Sequence, residues 1–379
     1  MLFPTPALTT ADERAIARID ELRQRLRFAT AEPRRWSGLL RRTAFARAIQ
    51  GSNSIEGYVV TLDDALAAVE GEKPLDAASE TWAAVLSYRN AMTYVLQLVT
   101  DPHVEINEAF IRSLHFMMTG YNLAKNPGRW RPGAIYVRND ANGDIVYEGP
   151  DFDEVPQLMR EFVTELQRND HTVPVMFRAA MAHLNLAMIH PFSDGNGRMA
   201  RCLQTLVLAR EEILVPQFSS IEEYLGLNTQ PYYAVLAEVG QGRWQPHRDA
   251  RPWIRFILTA HFHQAQTLLR RLKESETLWR LVEEVVGMRR LPERSIPALF
   301  DAASGRRLRR ESYRALVEEG LSEAVATRDL RVLVSAGFLT PHGEKRGRYY
   351  LATTALQALQ EQSRRPQTTE NSDPYADSA

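Results

Sequence analysis

The stretch Val175–Ile189, VMFRAAMAHLNLAMI, carries apolar or small side chains around nearly its whole circumference, with few polar interruptions. A helix without a polar face has nowhere to lie on a surface, so other helices must enclose it. The chain is therefore expected to be mostly α, a bundle built around this element. It stops at HPFSDGNGRMAR, residues 190–201, and RMARCLQTLVLAREE then resumes a helical pattern, so the polar residues between read as a loop joining two central helices.

The surrounding sequence supports a helical reading. Thr10 and Glu13 have capping-box spacing, and Ile16, Ile19, Leu22 and Leu26 then recur at helical intervals. Thr61 and Asp64 start another helix that Gly71 ends, and apolar spacing predicts more over 81–99, 105–119 and 252–284. Strand signals are few. The clearest lies in AIYVRNDANGDIVYEG, where Ile135, Val137, Ile145 and Tyr147 flank Asn142-Gly143, a pair that favours a tight hairpin turn. Near the C-terminus, a basic run from Arg306 leads into a short helix. Ser322 caps a second helix ending near Gly337, and two strands follow, around 338–340 and 348–351. Helix, turn, helix and hairpin in that order read as a winged helix.

With 379 residues and a formal net charge of −1, the chain has ample core for two or more domains, and its overall charge selects no strongly basic or acidic partner. Cys202 is the only cysteine, so no disulfide forms within the chain; it sits in an apolar helical run, where a small buried residue is expected rather than a nucleophile. No apolar span reaches membrane length and the N-terminus lacks a leader pattern, which predicts a cytoplasmic protein without membrane contact.

The loop carries the chemistry. Gly195, Asn196 and Gly197 stand where the chain enters a helix, so backbone N–H groups and the positive helix end together suit an anion, phosphate above all. Arg198 and Arg201, three apart, share a helix face above that hole and can grip two phosphates. Asp194 supplies a hard carboxylate suited to magnesium. His190 titrates near neutrality and can take a proton from an attacking hydroxyl. The glycine pattern in GNGRMA fits a dinucleotide fingerprint only superficially, because a long helical run precedes it and no strand–helix–strand unit surrounds it. No phosphate-loop lysine motif is present.

Residues 190–201 meet every specified position of the signature His-Pro-Phe-x-(Asp/Glu)-Gly-Asn-Gly-Arg-x-x-Arg, and in this the chain resembles the Fic family. The resemblance implies a Fic-fold helical core with a β-hairpin flap, and transfer of AMP from ATP, with Mg²⁺, to a protein hydroxyl. In that map His190 is the base and Asp194 the metal ligand. Gly195–Gly197 form the anion hole, Arg198 and Arg201 hold the outer phosphates, and Phe192 anchors the loop. The hairpin, with Ile135, Tyr136 and Val137, resembles the flap that holds a target by strand-like pairing; a plain surface hairpin is the alternative. Tyr232 and Tyr233 resemble an aromatic pair near the nucleotide, with buried core as the competing reading. Other members of the family transfer phosphate, UMP or phosphocholine, and the signature does not read the base.

Upstream, SNSIEG places Ser52, Glu56 and Gly57 in the pattern (Ser/Thr)-x-x-x-Glu-(Gly/Asn), which resembles the family's inhibitory motif. The resemblance implies that Glu56 pairs with Arg201 and denies it to the γ-phosphate; Glu56 acting as a base for water, to remove AMP again, is a second use. The resulting organisation is an inhibitory helical region over 1–104, a catalytic core over 105–250, a helical connector over 251–288, a winged helix over 289–362 and a disordered tail over 363–379. Expected partners are a target with a Ser, Thr or Tyr hydroxyl, the chain itself, and, by family habit, a second copy. Arg328 and Arg331 on the second helix of the winged helix, with Lys345 and Arg346 on its wing, suit either DNA or protein docking. The competing function is a DNA-binding regulator whose core senses nucleotide.

Overall fold

A helix apolar on every side has to be enclosed, and in the computed structural model twelve residues of Val175–Ile189 are buried. The structure describes residues 1–31, 34–99, 101, 103–138, 143–168, 170–210, 218, 220–317, 321–344, 347–365 and 373–376. In chain order the elements are α1 (Thr10–Ala31), α2 (Ser37–Ile55), α3 (Leu62–Glu70), α4 (Ser79–Leu98), α5 (Glu108–Thr119), β1 (Tyr136–Arg138), β2 (Ile145–Glu148), α6 (Val155–Arg168), α7 (Val175–Ile189), α8 (Asn196–Ala209), α9 (Glu222–Leu227), α10 (Thr229–Gly240), β3 (Gly242–Arg243), α11 (Arg251–Met288), α12 (Ile296–Ala303), α13 (Arg310–Leu316), α14 (Glu323–Ser335), β4 (Leu339–His342), β5 (Tyr349–Ala352) and α15 (Thr354–Ser363). The described residues form two compact units. One draws on Met1–Phe28, Thr43–Gln266 and Asn371–Ala379, the other on Ala29–Arg42 and Thr267–Glu370.

In the first unit α7 and α8 form the axis. Leu186, Ile189, Met199, Leu203 and Leu206 pack with Tyr88 and Val95 of α4, Ile111 and Leu114 of α5, and Met159 and Phe162 of α6. The other side of α7, with Phe177, Met181, Leu184 and Met188, packs on Ile19, Val235, Val239, Trp253 and Ile257. Each such side chain contributes about 1.5–3 kcal/mol when fully buried. Trp253 adds a bond from its indole N–H to the Ala180 carbonyl (2.7 Å).

Local signals placed most helix ends. Thr61 accepts from the Asp64 N–H, and Gly71 closes α3 at φ 74°. At α1 the cap is one residue earlier than the sequence suggests. Thr9 and Asp12 form the reciprocal pair, with Asp12 N–H on Thr9 Oγ1 (3.2 Å) and Thr9 N–H on Asp12 Oδ2 (3.0 Å), because that register lets Asp12 also meet Arg251. Helix α2 has no clear signal in sequence. Its end, GSNSI, is polar and turn-like, yet Asn53 and Ser54 return their side chains to the carbonyls of Ile49 and Gly51 and stay helical. Gly51 has to be glycine, since a Cβ there would collide with the backbone of Glu222.

β1 and β2 are antiparallel, with Tyr136 opposite Glu148, and β2 runs parallel to β3. The strand order is β1-β2-β3, leaving β1 at an edge. The expected Asn142-Gly143 turn falls partly outside the described residues, though Gly143 has φ 75°.

In the second unit α12, α13 and α14 precede the β4–β5 hairpin, in which Leu339 pairs with Ala352. Leu308 joins Tyr350 in an isolated bridge. Asp329 of α14 is buried and accepts from Nε and Nη2 of Arg294 and from the Tyr313 hydroxyl, which fixes α14 in place. Most of the expected disordered tail, 366–372 and 377–379, lies outside the described residues. Within the first unit, residues 373–376 are held through the Tyr375 hydroxyl on Asp12 (3.0 Å) and Arg255 over the Tyr375 ring. Among the described residues no helix is long and apolar enough to cross a membrane.

Candidate active site

The loop between α7 and α8 is held by its own residues and by neighbours the sequence did not reveal. His190 ends α7 with φ 52°, a left-handed turn rare for a non-glycine residue. Gly195 caps α8 at φ 77°, and a Cβ there would crowd Thr119. Asn196 is buried and its amide closes the loop on itself, accepting from the Phe192 N–H and donating to the Phe192 carbonyl (both 2.9 Å). Phe192 is fully buried and stacks on His115 at 3.7 Å. His115 accepts from the Gly128 N–H through Nδ1 (2.8 Å), so its Nε2 carries the proton and donates to the Asp194 carbonyl (2.9 Å). Burial keeps that ring neutral, its pKa pushed down to about 4 against the pull of the Asp194 carbonyl. Arg131 completes the frame, donating to the carbonyls of His190 (3.0 Å) and Gly133 (2.6 Å) and to that of Pro150. The hairpin roots and the His190 turn thus share one side chain.

His190 is held as a neutral imidazole. Its Nδ1 lies 3.0 Å from the Ala187 carbonyl, which can only accept, so Nδ1 holds the proton and Nε2 presents a lone pair. Burial lowers its pKa from the ordinary histidine value, and the Ala187 bond and the Glu56 and Asp194 charges only partly restore it. The ring is therefore neutral at physiological pH.

The two arginines differ sharply. Arg198 is fully buried, and none of its three guanidinium nitrogens bonds to anything among the described residues. The Tyr58 ring lies 5.2 Å from its guanidinium carbon. A buried guanidinium whose nitrogens make no hydrogen bond, with only the charge of half-exposed Asp194 near it, is costly by several kcal/mol unless an anion joins it, and here it stands at a helix N-terminus rich in backbone donors. Arg201, also buried, is occupied: Nε donates to Ser52 Oγ (2.7 Å), and Nη2 donates to the Ser52 carbonyl (2.9 Å) and to Glu56 Oε1 (2.7 Å). Burial works against its charge, but Glu56 with Tyr232 and Tyr88 leaves its pKa raised. The Glu56 carboxylate hangs directly over Gly197, where any Cβ would strike it. Gly57, at φ 81°, turns the chain away immediately after.

Asp194 is half-exposed. Its Oδ1 accepts the Gly195 N–H (2.6 Å) and its Oδ2 pairs with Lys125 (2.7 Å), a partner with no signal in sequence. No group of three or more His, Cys, Asp or Glu side chains is arranged to hold a metal among the described residues. One half-exposed carboxylate beside a helix N-terminus does fit magnesium, which is commonly held by one or two carboxylates plus substrate phosphates and water.

Tyr232 and Tyr233 lie next to the Arg201–Glu56 pair. Tyr232 is buried behind Arg201, with its hydroxyl 3.0 Å from His183 Nε2; His183 in turn bonds Gln204. Tyr233 is exposed and donates to the Ile55 carbonyl (3.1 Å), at the end of the helix preceding Glu56. In the hairpin, Ile135 accepts from the Gly149 N–H, Tyr136 is exposed and Val137 half-buried. Arg328 and Arg331 are exposed on α14, whereas Lys345 and Arg346 lie outside the described residues. His115, Arg131, Lys125, Tyr58 and Tyr121 were not found from sequence, because their roles arise from contacts between distant segments. Only the position of Tyr58, directly after Glu56-Gly57, gave any hint.

Comparison with known proteins adds to this geometry. The model of the Fic/DOC family matches residues 105–208. The chain is 28% identical over 257 residues to a protein adenylyltransferase Fic of Nematostella vectensis, covering 66% of this chain and 55% of that protein. It is 30% identical to the protein of the same name from Drosophila grimshawi, covering 65% and 47%. The chain thus spans about half the length of the curated relatives it matches. Among solved structures, a Fic family protein from Desulfovibrio desulfuricans G20 matches with a TM-score of 0.57 at 22% identity, over 93% of this chain and 98% of that one. Fic-1 of Caenorhabditis elegans matches with 0.53 at 23%, over 70% and 73%. At these identities the structures speak for the fold alone.

Proposed function

We propose, from a chain that carries a Fic/DOC-family domain, that it is a protein adenylyltransferase, moving AMP from ATP to a hydroxyl of a protein and releasing pyrophosphate. The observation that carries this reading is the fully buried Arg198 guanidinium with no bonding partner among the described residues, at the start of α8 and in the same loop as a neutral His190. A phosphate chain supplies the missing anion, and an adjacent neutral imidazole suits an attacking alcohol.

The chain's own residues have defined tasks. The N–H groups at the start of α8 and the two arginines neutralise charge on the phosphates, and the turn fixed by Asn196, His115 and Arg131 holds His190 in line. His190 Nε2 takes the hydroxyl proton as the oxygen bonds the α-phosphorus and the pyrophosphate oxygen leaves. Magnesium, when bound through Asp194 and phosphate oxygens, would offset further negative charge. The edge strand β1, near Tyr136, offers backbone groups on which an extended target segment can add as a strand.

Glu56 is the brake in this reading. While it holds Arg201 Nη2, that nitrogen cannot serve a phosphate; Nη1, without a bond among the described residues, is what remains. Incubation with α-phosphate-labelled ATP tests both parts. Glu56→Gly is expected to gain self-labelling, and Glu56→Gly with His190→Ala to lose it; label retained without His190 counts against the enzyme.

A second reading rests on α14, where Arg328 and Arg331 are exposed as in a winged helix that meets a DNA duplex. Salt-dependent duplex binding that is lost on Arg328→Ala with Arg331→Ala supports it, and equal binding by parent and variant counts against it.

A further inference from the structure

We infer that Lys125 is a stand-in cation: its ammonium occupies Asp194 until a divalent ion arriving with nucleotide displaces it, and Tyr58 ties that exchange to the segment bearing Glu56. The inference rests on the functional reading above and deepens it. An ammonium has three N–H donors. Those of Lys125 meet three acceptors, Asp194 Oδ2 (2.7 Å), Tyr58 Oη (2.5 Å) and Tyr121 Oη (3.0 Å), so the group is saturated. The two tyrosine rings also lie 5.2 and 5.1 Å from Nζ. Only 15% of the Lys125 side chain is exposed, against 37% for Asp194. This is a built site rather than a surface pairing.

The geometry makes the two cations exclusive. Asp194 Oδ1 already accepts the Gly195 N–H and Oδ2 already holds Lys125, so a metal reaching the outer oxygen Oδ2 meets the ammonium's positive charge at 2.7 Å from it. Departure of Lys125 requires movement. Lys125 lies on a single 3-10 turn, Leu123–Lys125, ended by Asn126 in the left-handed region at φ 51°. Tyr58 is two residues beyond Glu56, and its ring also lies against Arg198. Release of Lys125 from Tyr58 thus loosens the same strand of chain that delivers the brake.

The test is a Mn²⁺ titration, free ion read by electron paramagnetic resonance, in a Glu56→Gly background with a non-hydrolysable ATP analogue. Lys125→Met is expected to bind Mn²⁺ at least about tenfold more tightly than the background protein, because no cation need be displaced. Tyr121→Phe, which removes one of the three acceptors at nearly constant volume, is expected to shift affinity the same way by less, and serves if Lys125→Met does not fold. Unchanged or weaker Mn²⁺ binding in both variants, with the background protein binding normally, overturns the role of Lys125. Failure of the background protein to bind Mn²⁺, or equal binding after Asp194→Asn, instead overturns the assignment of Asp194 on which it rests.

Discussion

Replacing Glu56 by glycine removes one direct ion pair, together with the weaker pull of its charge on His190 and Tyr232. Glu56 lies just past the end of α2, and Arg201 keeps its bonds to the Ser52 hydroxyl and carbonyl, so the guanidinium stays where it is. What disappears is the 2.7 Å pair between Arg201 Nη2 and Glu56 Oε1. With charge centres about 4 Å apart and an effective dielectric of about 20, its gross attraction is about 4 kcal/mol. Arg201 is 1% exposed and Glu56 22%, so desolvation of the arginine and screening of the carboxylate both reduce that figure. A net closed-state preference of about 1–3 kcal/mol remains, which corresponds to about 5- to 150-fold in the accessible population. Self-labelling from α-labelled ATP in Glu56→Gly is expected to rise within that range, with calorimetric ATP affinity tightening in parallel. Glu56→Gln, which retains an acceptor without the charge, should fall between. Equal labelling and equal affinity in parent and Glu56→Gly would refute the reasoning.

Four further outcomes are expected. In the Glu56→Gly background, His190→Ala should lower the labelling rate by about 10²- to 10⁴-fold while leaving ATP affinity intact. Because the folded pKa of His190 is depressed, the rate should be flat above the ordinary histidine value of about 6.5 and fall only at lower pH, as the base becomes protonated. Burial pushes Glu222 up to about 7 despite Tyr88 and Arg201 nearby. The native state then holds a proton that the unfolded chain releases near pH 4.5, so this group's contribution falls by about 3 kcal/mol as pH rises through that window. Calorimetric Tm of Glu222→Gln should accordingly show a weaker decline between pH 5 and pH 8 than the parent. His115→Ala removes two hydrogen bonds and the stack on Phe192, a loss of about 2–4 kcal/mol readable by urea denaturation.

What could be read from sequence was local. Residues 190–201 announced themselves because their chemistry is written at fixed spacing along one loop and one helix turn, and α3 and α7 because caps and apolar periodicity are properties of contiguous residues. Glu56 and Arg201 are 145 positions apart, and only the family resemblance linked them. Nothing linked Lys125 to Asp194 or His115 to the Asp194 carbonyl, since each pair is brought together by packing of α5 and the turn after it against the α8 entrance. Helix α2 escaped notice because its GSNSI end favours turns until side-chain bonds to its own carbonyls keep it helical. Tyr232 shows the opposite limit. Its neighbour Tyr233 is exposed, and adjacent residues of one type gave no means to tell that Tyr232 points into the core.

The most direct measurement is a crystal structure of Glu56→Gly with ATP and Mg²⁺. Phosphates bonded to the backbone of Gly195–Gly197 and to Arg198 and Arg201, with the α-phosphorus facing His190 Nε2, are expected. A nucleotide bound elsewhere, or an Arg198 guanidinium still without an anion at saturating ATP, would contradict the assignment of this loop as the place where the phosphate chain is held.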